Sequence, residues 1–187
     1  MKINQTEFNG LVVIEPKIFK DQRGYFFESY NENKFHGLSQ NYVFVQDNQS
    51  KSSYGVIRGL HYQLEPYAQT KLIRVLQGKI YDVVVDLRQG SATFKKWFGV
   101  ELDDENQWQL LIPKGFAHGF SVLSETATIL YKCDDFYVPE AERGIIYNDT
   151  ELNIDWRLKS ADIMVSDKDL KLPAFADADM NFKYQAG

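Results

Sequence analysis

The chain is poor in cysteine, in clustered histidine, in runs of like charge and in long apolar stretches. Its one cysteine, Cys133, cannot form an internal disulfide. Its three histidines, His36, His61 and His118, include no His-x-His pair, so a three-histidine metal site is hard to build. No long run of Lys or Arg appears and the formal net charge is −5, which argues against a nucleic-acid partner. A small anionic ligand stays open, because local basic residues bind phosphate whatever the net charge. The longest apolar runs fall far short of a membrane span, and residues 1–7 hold no stretch of signal-peptide kind. The expectation is a cytoplasmic protein with no membrane partner. No internal repeat and no Pro-rich or Gly/Ser-rich linker divides the 187 residues, so one domain over 1–187 is expected.

What is there is short, apolar and aromatic. With 44% hydrophobic and 14% aromatic residues, the chain should fold around a sizeable core. Runs rich in Val, Ile, Tyr and Phe predict strands over 11–15, 24–30, 42–46, 56–63, 71–76, 79–87, 97–102, 108–112, 119–123, 126–133 and 144–148. One short helix is predicted over 31–36, capped by Asn31. The segment from 149 onward reads as turns and short helical pieces. Many short strands without long helices between them imply an all-β sandwich or barrel. The run Lys79-Ile-Tyr-Asp-Val-Val-Val-Asp86 is apolar on both faces and predicts a strand covered on both sides, with another subunit as one candidate cover.

Several residues in this frame are able to carry chemistry. His61 lies in Gly55-Val-Ile-Arg-Gly-Leu-His-Tyr-Gln63, where alternation puts Ile57, Gly59, His61 and Gln63 on one face. It is either a general base at the wider end of a barrel or a core histidine with its hydrogen bonds satisfied. Arg58 should point the other way. A pocket shared with His61 needs the pleat broken, and Gly59 is the natural place for a bulge. Lys71 opens the strand 71–76 as a solvated lysine or, with suitable neighbours, as an electrophile for a developing oxyanion. Tyr131 is a core or rim tyrosine, or a phenol acting as acid or base. Phe136 and Tyr137 are rivals for stacking on a flat ligand ring. Arg23 and Glu28, with Gln46 and Asn48, form a set able to hydrogen-bond an oxygen-rich ligand. His118 enters a strand after the turn in Pro113-Lys-Gly-Phe-Ala-His118. In Ser166-Asp-Lys-Asp169 a carboxylate either stays in a solvated turn or folds back to hold a histidine ring.

Taken in order, these motifs are familiar. Asp21-x-Arg-Gly24, Phe44-Val-Gln-Asp-Asn48, Arg58-Gly-Leu-His-Tyr-Gln63, Lys71-Leu, Pro113-x-Gly-Phe-Ala-His-Gly-Phe120, Leu130-Tyr-Lys132 and the Lys168-Asp169 pair span residues 11–169. The chain resembles the dTDP-4-dehydrorhamnose 3,5-epimerase family of the cupin superfamily. The resemblance implies a cupin-type jelly-roll barrel with short peripheral helices, a homodimer, and no metal or other cofactor. It implies a dTDP-sugar substrate, dTDP-4-dehydro-6-deoxy-D-glucose, inverted at carbons 3 and 5 on the way to dTDP-L-rhamnose. By the same resemblance His61 is the general base, Asp169 its orienting partner, Tyr131 the proton donor on the opposite sugar face and Lys71 the group that stabilises the enolate. Arg23, Glu28, Gln46, Asp47, Asn48, Arg58, His118, Glu142 and Lys168 match positions that contact the nucleotide sugar, and Tyr137 matches the stacker on thymine. Thr70, where relatives often have Gly, and Tyr147, where they often have Trp, depart from the pattern and put the positioning of the loop before Lys71 in question.

Other activities fit parts of the same sequence. A 3-epimerase would invert one carbon only, and a 3,4-ketoisomerase would move the carbonyl. A non-catalytic sugar-nucleotide binding cupin would keep the pocket without the proton transfer. A metal-dependent cupin oxygenase needs clustered imidazoles or carboxylates that this spacing does not offer.

Overall fold

The computed structural model describes residues 1–35 and 42–184. In chain order the strands are β1 (Lys2–Gln5), β2 (Val12–Glu15), β3 (Phe19–Asp21), β4 (Gly24–Phe26), β5 (Gln46–Ser53), β6 (Ile57–Gln63), β7 (Lys71–Gln77), β8 (Lys79–Asp86), β9 (Trp97–Asp103), β10 (Gln109–Ile112), β11 (Phe116–Val122), β12 (Thr126–Cys133) and β13 (Glu142–Gly144). They form a six-stranded sheet in the order β1-β2-β10-β7-β12-β5, a five-stranded sheet in the order β13-β6-β11-β8-β9, and the hairpin β3-β4. This is the expected all-β, cupin-type jelly-roll architecture. Short 3-10 turns at Ser160–Asp162, Asp169–Lys171 and Phe175–Asp177 make up much of the C-terminal segment, as its turn-rich sequence predicts.

The sheets pack face to face through alternate residues. Val13, Ile73, Leu110 and Ile129 of the six-stranded sheet meet Ile80, Val84, Phe120 and Val122 of the five-stranded one. The back of β8 is apolar too. Tyr81, Val83 and Val85 pack against Trp156, Phe175 and Phe182, so the second cover of this strand is the chain's own C-terminal segment, not another subunit. The outer face of β7 carries Arg74, whose guanidinium lies 5.2 Å from the centre of the Phe27 ring.

Four strands, observed or predicted, differ from expectation for physical reasons. β5, Gln-Asp-Asn-Gln-Ser-Lys-Ser-Ser, has no apolar alternation, because it is an edge strand with solvent outside and a polar cavity inside. The predicted strand over 42–46 is not formed; pairing begins at its last residue. β1 and β3 are short and polar or exposed, and periodicity does not mark them. The predicted helix is a single turn, α1 (Glu32–Phe35). Asn31 accepts the backbone N–H groups of Lys34 and Phe35 through its carbonyl, while its side-chain amide donates to Glu28. His36, the predicted end of that helix, lies outside the described residues.

The bulge expected at Gly59 is present. Along the β6–β11 ladder, His118 opposes His61 and Phe120 opposes Arg58, so two steps on β11 match three on β6. Gly59 has φ +124°, and a Cβ there would sit 2.5 Å from the Gly119 Cα. Gly24 has a similar φ of +128° with nothing near it. Gly59→Ala is therefore expected to lose about 2 kcal/mol or more in a urea melt. Gly24→Ala should lose clearly less, because it bears the dihedral strain without the collision.

Candidate active site

His61 and His118 stand opposite each other in the ladder and leave the same face of the five-stranded sheet. Lys71 on β7 and Tyr131 on β12 leave the inner face of the other sheet, on neighbouring strands. All four line one cavity of about 540 Å³ with Ser50, Arg58, Phe120, Met164, Ser166, Lys168 and Asp169. A smaller polar hollow of about 120 Å³ shares His61, Lys71 and Tyr131 and adds Gln46, Asn48, Gln63, Gln69, Tyr137 and Glu142. The three shared side chains thus sit at the waist between two lobes. The extra residue in β6 is what lets Arg58 join His61 in the larger lobe. Arg58 Nε donates to the buried Ser52 Oγ at 3.0 Å, which fixes the guanidinium.

Asp169 folds back onto His61. Its Oδ1 lies 2.8 Å from His61 Nε2, its Oδ2 accepts the Gly59 N–H at 3.3 Å, and its own N–H donates to Ser166 Oγ at 3.1 Å. Burial pushes the Asp169 carboxyl up, but the His61 hydrogen bond and charge, with the Gly59 and Ser166 contacts, outweigh it and hold the carboxyl below its ordinary range. Burial pulls the Lys71 ammonium down, opposed by the charges of Cys133, Glu142 and Asp82. Burial also pushes the Tyr131 phenol up, so it keeps its proton near neutral pH. The Lys71 ammonium lies 5.9 Å from the centre of the Tyr131 ring. Thr70 raises no difficulty for this strand start: its N–H donates to Asp134 Oδ1 at 2.6 Å and its carbonyl accepts the Asp134 N–H, anchoring the residue before Lys71.

At the mouth, Glu142 Oε2 accepts both the Tyr137 hydroxyl and the Lys168 ammonium, each at 2.7 Å. Burial opposes ionisation of Glu142, yet these two bonds hold its carboxyl below the usual range. Gln46 Oε1 accepts the Tyr137 N–H at 3.1 Å. The buried Gln63 side chain accepts the Val138 N–H and donates to the Phe136 carbonyl. Both rings are exposed, but Tyr137 is pinned on both sides and lines the smaller lobe, and Phe136 does not line it.

Three expected nucleotide contacts lie away from the cavity of their own chain. Arg23 pairs with Asp21 at 2.6 Å on the β3–β4 hairpin. Glu28 pairs with Lys34 and Asn31. Asp47 alternates outward from Gln46 and Asn48 and pairs with Lys132 at 2.9 Å across the β5–β12 ladder. Conversely, the sequence reading passed over Ser50, Gln63 and Asp82. Asp82 was hidden inside an apolar run, where its charge is the only signal. Among the described residues no cluster of three or more His, Cys, Asp or Glu side chains is placed to hold a metal ion, and no helix is long and apolar enough to cross a membrane.

The lowered carboxyl of Asp169 has a pH consequence. Its contribution to stability is fully present above the ordinary carboxylate pKa of about 3.9 and is lost as pH falls through its lower folded value. Asp169→Asn should therefore be less stable than the unaltered chain at pH 7, with the gap closing as pH falls below about 4. Urea melts at stepped pH check this, and a gap that stays constant with pH would contradict it.

Known proteins with this geometry are closely similar. The sequence profile of the family described as dTDP-4-dehydrorhamnose 3,5-epimerase matches residues 5–177. The dTDP-4-dehydrorhamnose 3,5-epimerase of Pseudomonas aeruginosa is 52% identical, over 96% of this chain and 98% of that protein. The crystal structure of the dTDP-6-deoxy-D-glucose-3,5-epimerase of Legionella pneumophila, in complex with dTDP-4-keto-L-rhamnose, superimposes with a TM-score of 0.94 at 47% identity, covering 99% of each chain. A 3'-monoepimerase from Streptomyces bikiniensis, in complex with dTDP-quinovose, shares the fold at a TM-score of 0.86 but only 32% identity, over 92% of this chain and 87% of that one. By profile, sequence and fold together, the chain belongs to the dTDP-4-dehydrorhamnose 3,5-epimerase family.

Proposed function

We propose that the protein epimerises dTDP-4-dehydro-6-deoxy-D-glucose at carbons 3 and 5, giving dTDP-4-dehydro-L-rhamnose. One observation carries the reading: an imidazole and a phenol from opposite sheets line a single cavity, with a lysine beside the phenol. Carbons 3 and 5 both flank the ketone at carbon 4, and only hydrogens next to a carbonyl are acidic enough for a side chain to remove. His61, held by Asp169, takes the proton from one face. Lys71 holds the enolate oxygen as its charge develops. Tyr131 gives a proton to the other face, and solvent exchange restores both groups. Deprotonation and reprotonation leave the oxidation state unchanged, so the chemistry calls for no redox cofactor. Arg58 and Lys168 offset the diphosphate charge, while Gln46, Asn48, Tyr137 and Glu142 hold the nucleoside in the smaller lobe. Remote binding of that kind orients the sugar for reaction. Inversion at both carbons is favoured over the 3-epimerase alternative by the higher identity to the 3,5-epimerases.

The working unit in this reading is a cytoplasmic homodimer of a one-domain chain. Arg23 and Glu28 match nucleotide contacts, yet they lie outside the cavity of their own chain. The hairpin that carries Arg23 exposes Phe19, Tyr25 and Phe26, an apolar surface suited to a second copy. Arg23 and Glu28 then serve the partner's cavity.

In heavy water, the unaltered protein should wash deuterium into carbons 3 and 5 of the substrate, read by NMR. His61→Ala should lower wash-in at both carbons by about 10²–10⁴-fold, the usual worth of a positioned base. Tyr131→Phe should impair completed inversion more than exchange. Near-normal exchange by His61→Ala would remove the base assignment, and label at carbon 3 alone would make the protein a 3-epimerase. The dimer has its own test. Arg23→Ala and Lys71→Ala chains, each weak alone, should regain activity when unfolded and refolded together, because one mixed site is then intact. Failure to complement, or a monomer mass in sedimentation, would overturn the shared site.

A further inference from the structure

Part of the lining of the larger lobe takes no share in proton transfer or in holding charge. Val56, Ile57, Phe120, Met164 and Val165 all border it. Val56 and Phe120 also pack in the core between the sheets. Among the described apolar residues of this lining, Met164 alone is exposed, at 47%. Its backbone is fixed. The Met164 N–H donates to the Gly55 carbonyl and its carbonyl accepts the Ile57 N–H, each at 2.9 Å, so the residue bridges Val56 in parallel. Ile163 and Val165, on either side of it, pack into the core behind β8. Alternation turns Met164 the other way, towards the cavity.

An apolar patch beside charged and hydrogen-bonding groups suits an apolar part of a polar ligand. A phosphate or hydroxyl set against it would lose water without gaining a hydrogen bond. The substrate of the proposed reaction carries two methyl groups. One is on thymine, which that reading puts in the smaller lobe beside Tyr137. The other is carbon 6, bonded to carbon 5, so it travels with the sugar past His61, Lys71 and Tyr131 at the edge of the larger lobe. Inversion at carbon 5 swings this methyl relative to the ring. An unbranched thioether with three rotatable bonds follows such a movement better than a branched side chain.

We propose that Met164, with Val56 and Phe120, seats the carbon-6 methyl and determines specificity for 6-deoxy sugars. The proposal rests on the epimerase reading and deepens it. Base and diphosphate hold the nucleotide end, and the methyl seat chooses which edge of the sugar faces the apolar lining. A hydroxyl on carbon 6 would be left unpaired against the thioether.

Calorimetric titration with unreactive nucleotide sugars tests it. dTDP-6-deoxyglucose, dTDP-glucose and dTDP-xylose carry a methyl, a hydroxymethyl and nothing at carbon 6, and none has a ketone. The unaltered protein should bind dTDP-6-deoxyglucose about fourfold or more tighter than dTDP-xylose, the usual worth of one buried methyl, and tighter than dTDP-glucose. In Met164→Ala both preferences should shrink to about twofold or less, with dTDP itself bound within about twofold of normal. Met164→Leu, apolar and of similar volume, should keep them. Equal binding of the three sugars by the unaltered protein, or preferences that Met164→Ala leaves intact, would overturn the seat. So would a loss in Met164→Ala that falls equally on dTDP and all three sugars, since that marks a structural role. Absence of deuterium wash-in by the unaltered protein would instead overturn the epimerase reading, and the sugar preferences, measured without turnover, are read separately from it.

Discussion

One extra residue in β6 governs the geometry of the site. A regular pleat would send Arg58 and His61 to opposite faces of the sheet, one into the barrel and one into the packing behind it. The register shift against β11 brings both to the cavity wall. The same irregularity frees the Gly59 N–H from the ladder, and Asp169 accepts it while accepting His61 with its other oxygen. The bulge therefore aims the imidazole and also supplies part of the anchor for the carboxylate that holds it. Only glycine fits there, because the opposing backbone at Gly119 leaves no room for a side chain.

The barrel divides its labour along its length. Where the two sheets interdigitate aliphatic side chains, the interior is dry core. Towards the other end the same inward positions carry His61, His118, Lys71, Tyr131, Gln46 and Asn48. Burial there acts differently on each group. It keeps the phenol protonated and loosens the lysine's hold on its proton. The Asp169 carboxyl resists the same pressure through its hydrogen bonds. In the proposed reading, proton removal, charge holding and proton return fall to His61, Lys71 and Tyr131, fixed on two facing walls.

Much of this was legible in the sequence. The all-β class followed from short Val-, Ile- and aromatic-rich runs, and the need for a bulge followed from the three-residue spacing of Arg58 and His61, if both serve one pocket. Hydrophobic periodicity could not find β5, since a strand between solvent and a polar cavity has no apolar face to advertise. Nor could it say what lay behind Tyr81, Val83 and Val85: a two-faced apolar strand demands a cover, but the pattern is the same whether that cover is another chain or a distant part of its own. Arg23, Glu28 and Asp47 were read as site residues by motif, and their actual neighbours, Asp21, Lys34 and Lys132, were set by register and hairpin geometry that motifs do not encode. Asp82 escaped notice because it lies in a run that reads as apolar on both faces.

The C-terminal segment that coats the back of β8 also carries Asp169, so wrapping and arming are one event. As the chain leaves the ribosome, the barrel strands through β13 emerge before the strap that braces His61. A barrel without that segment would leave the imidazole untethered and the apolar rear of β8 open to water. One segment thus both closes that rear surface and tethers the ring.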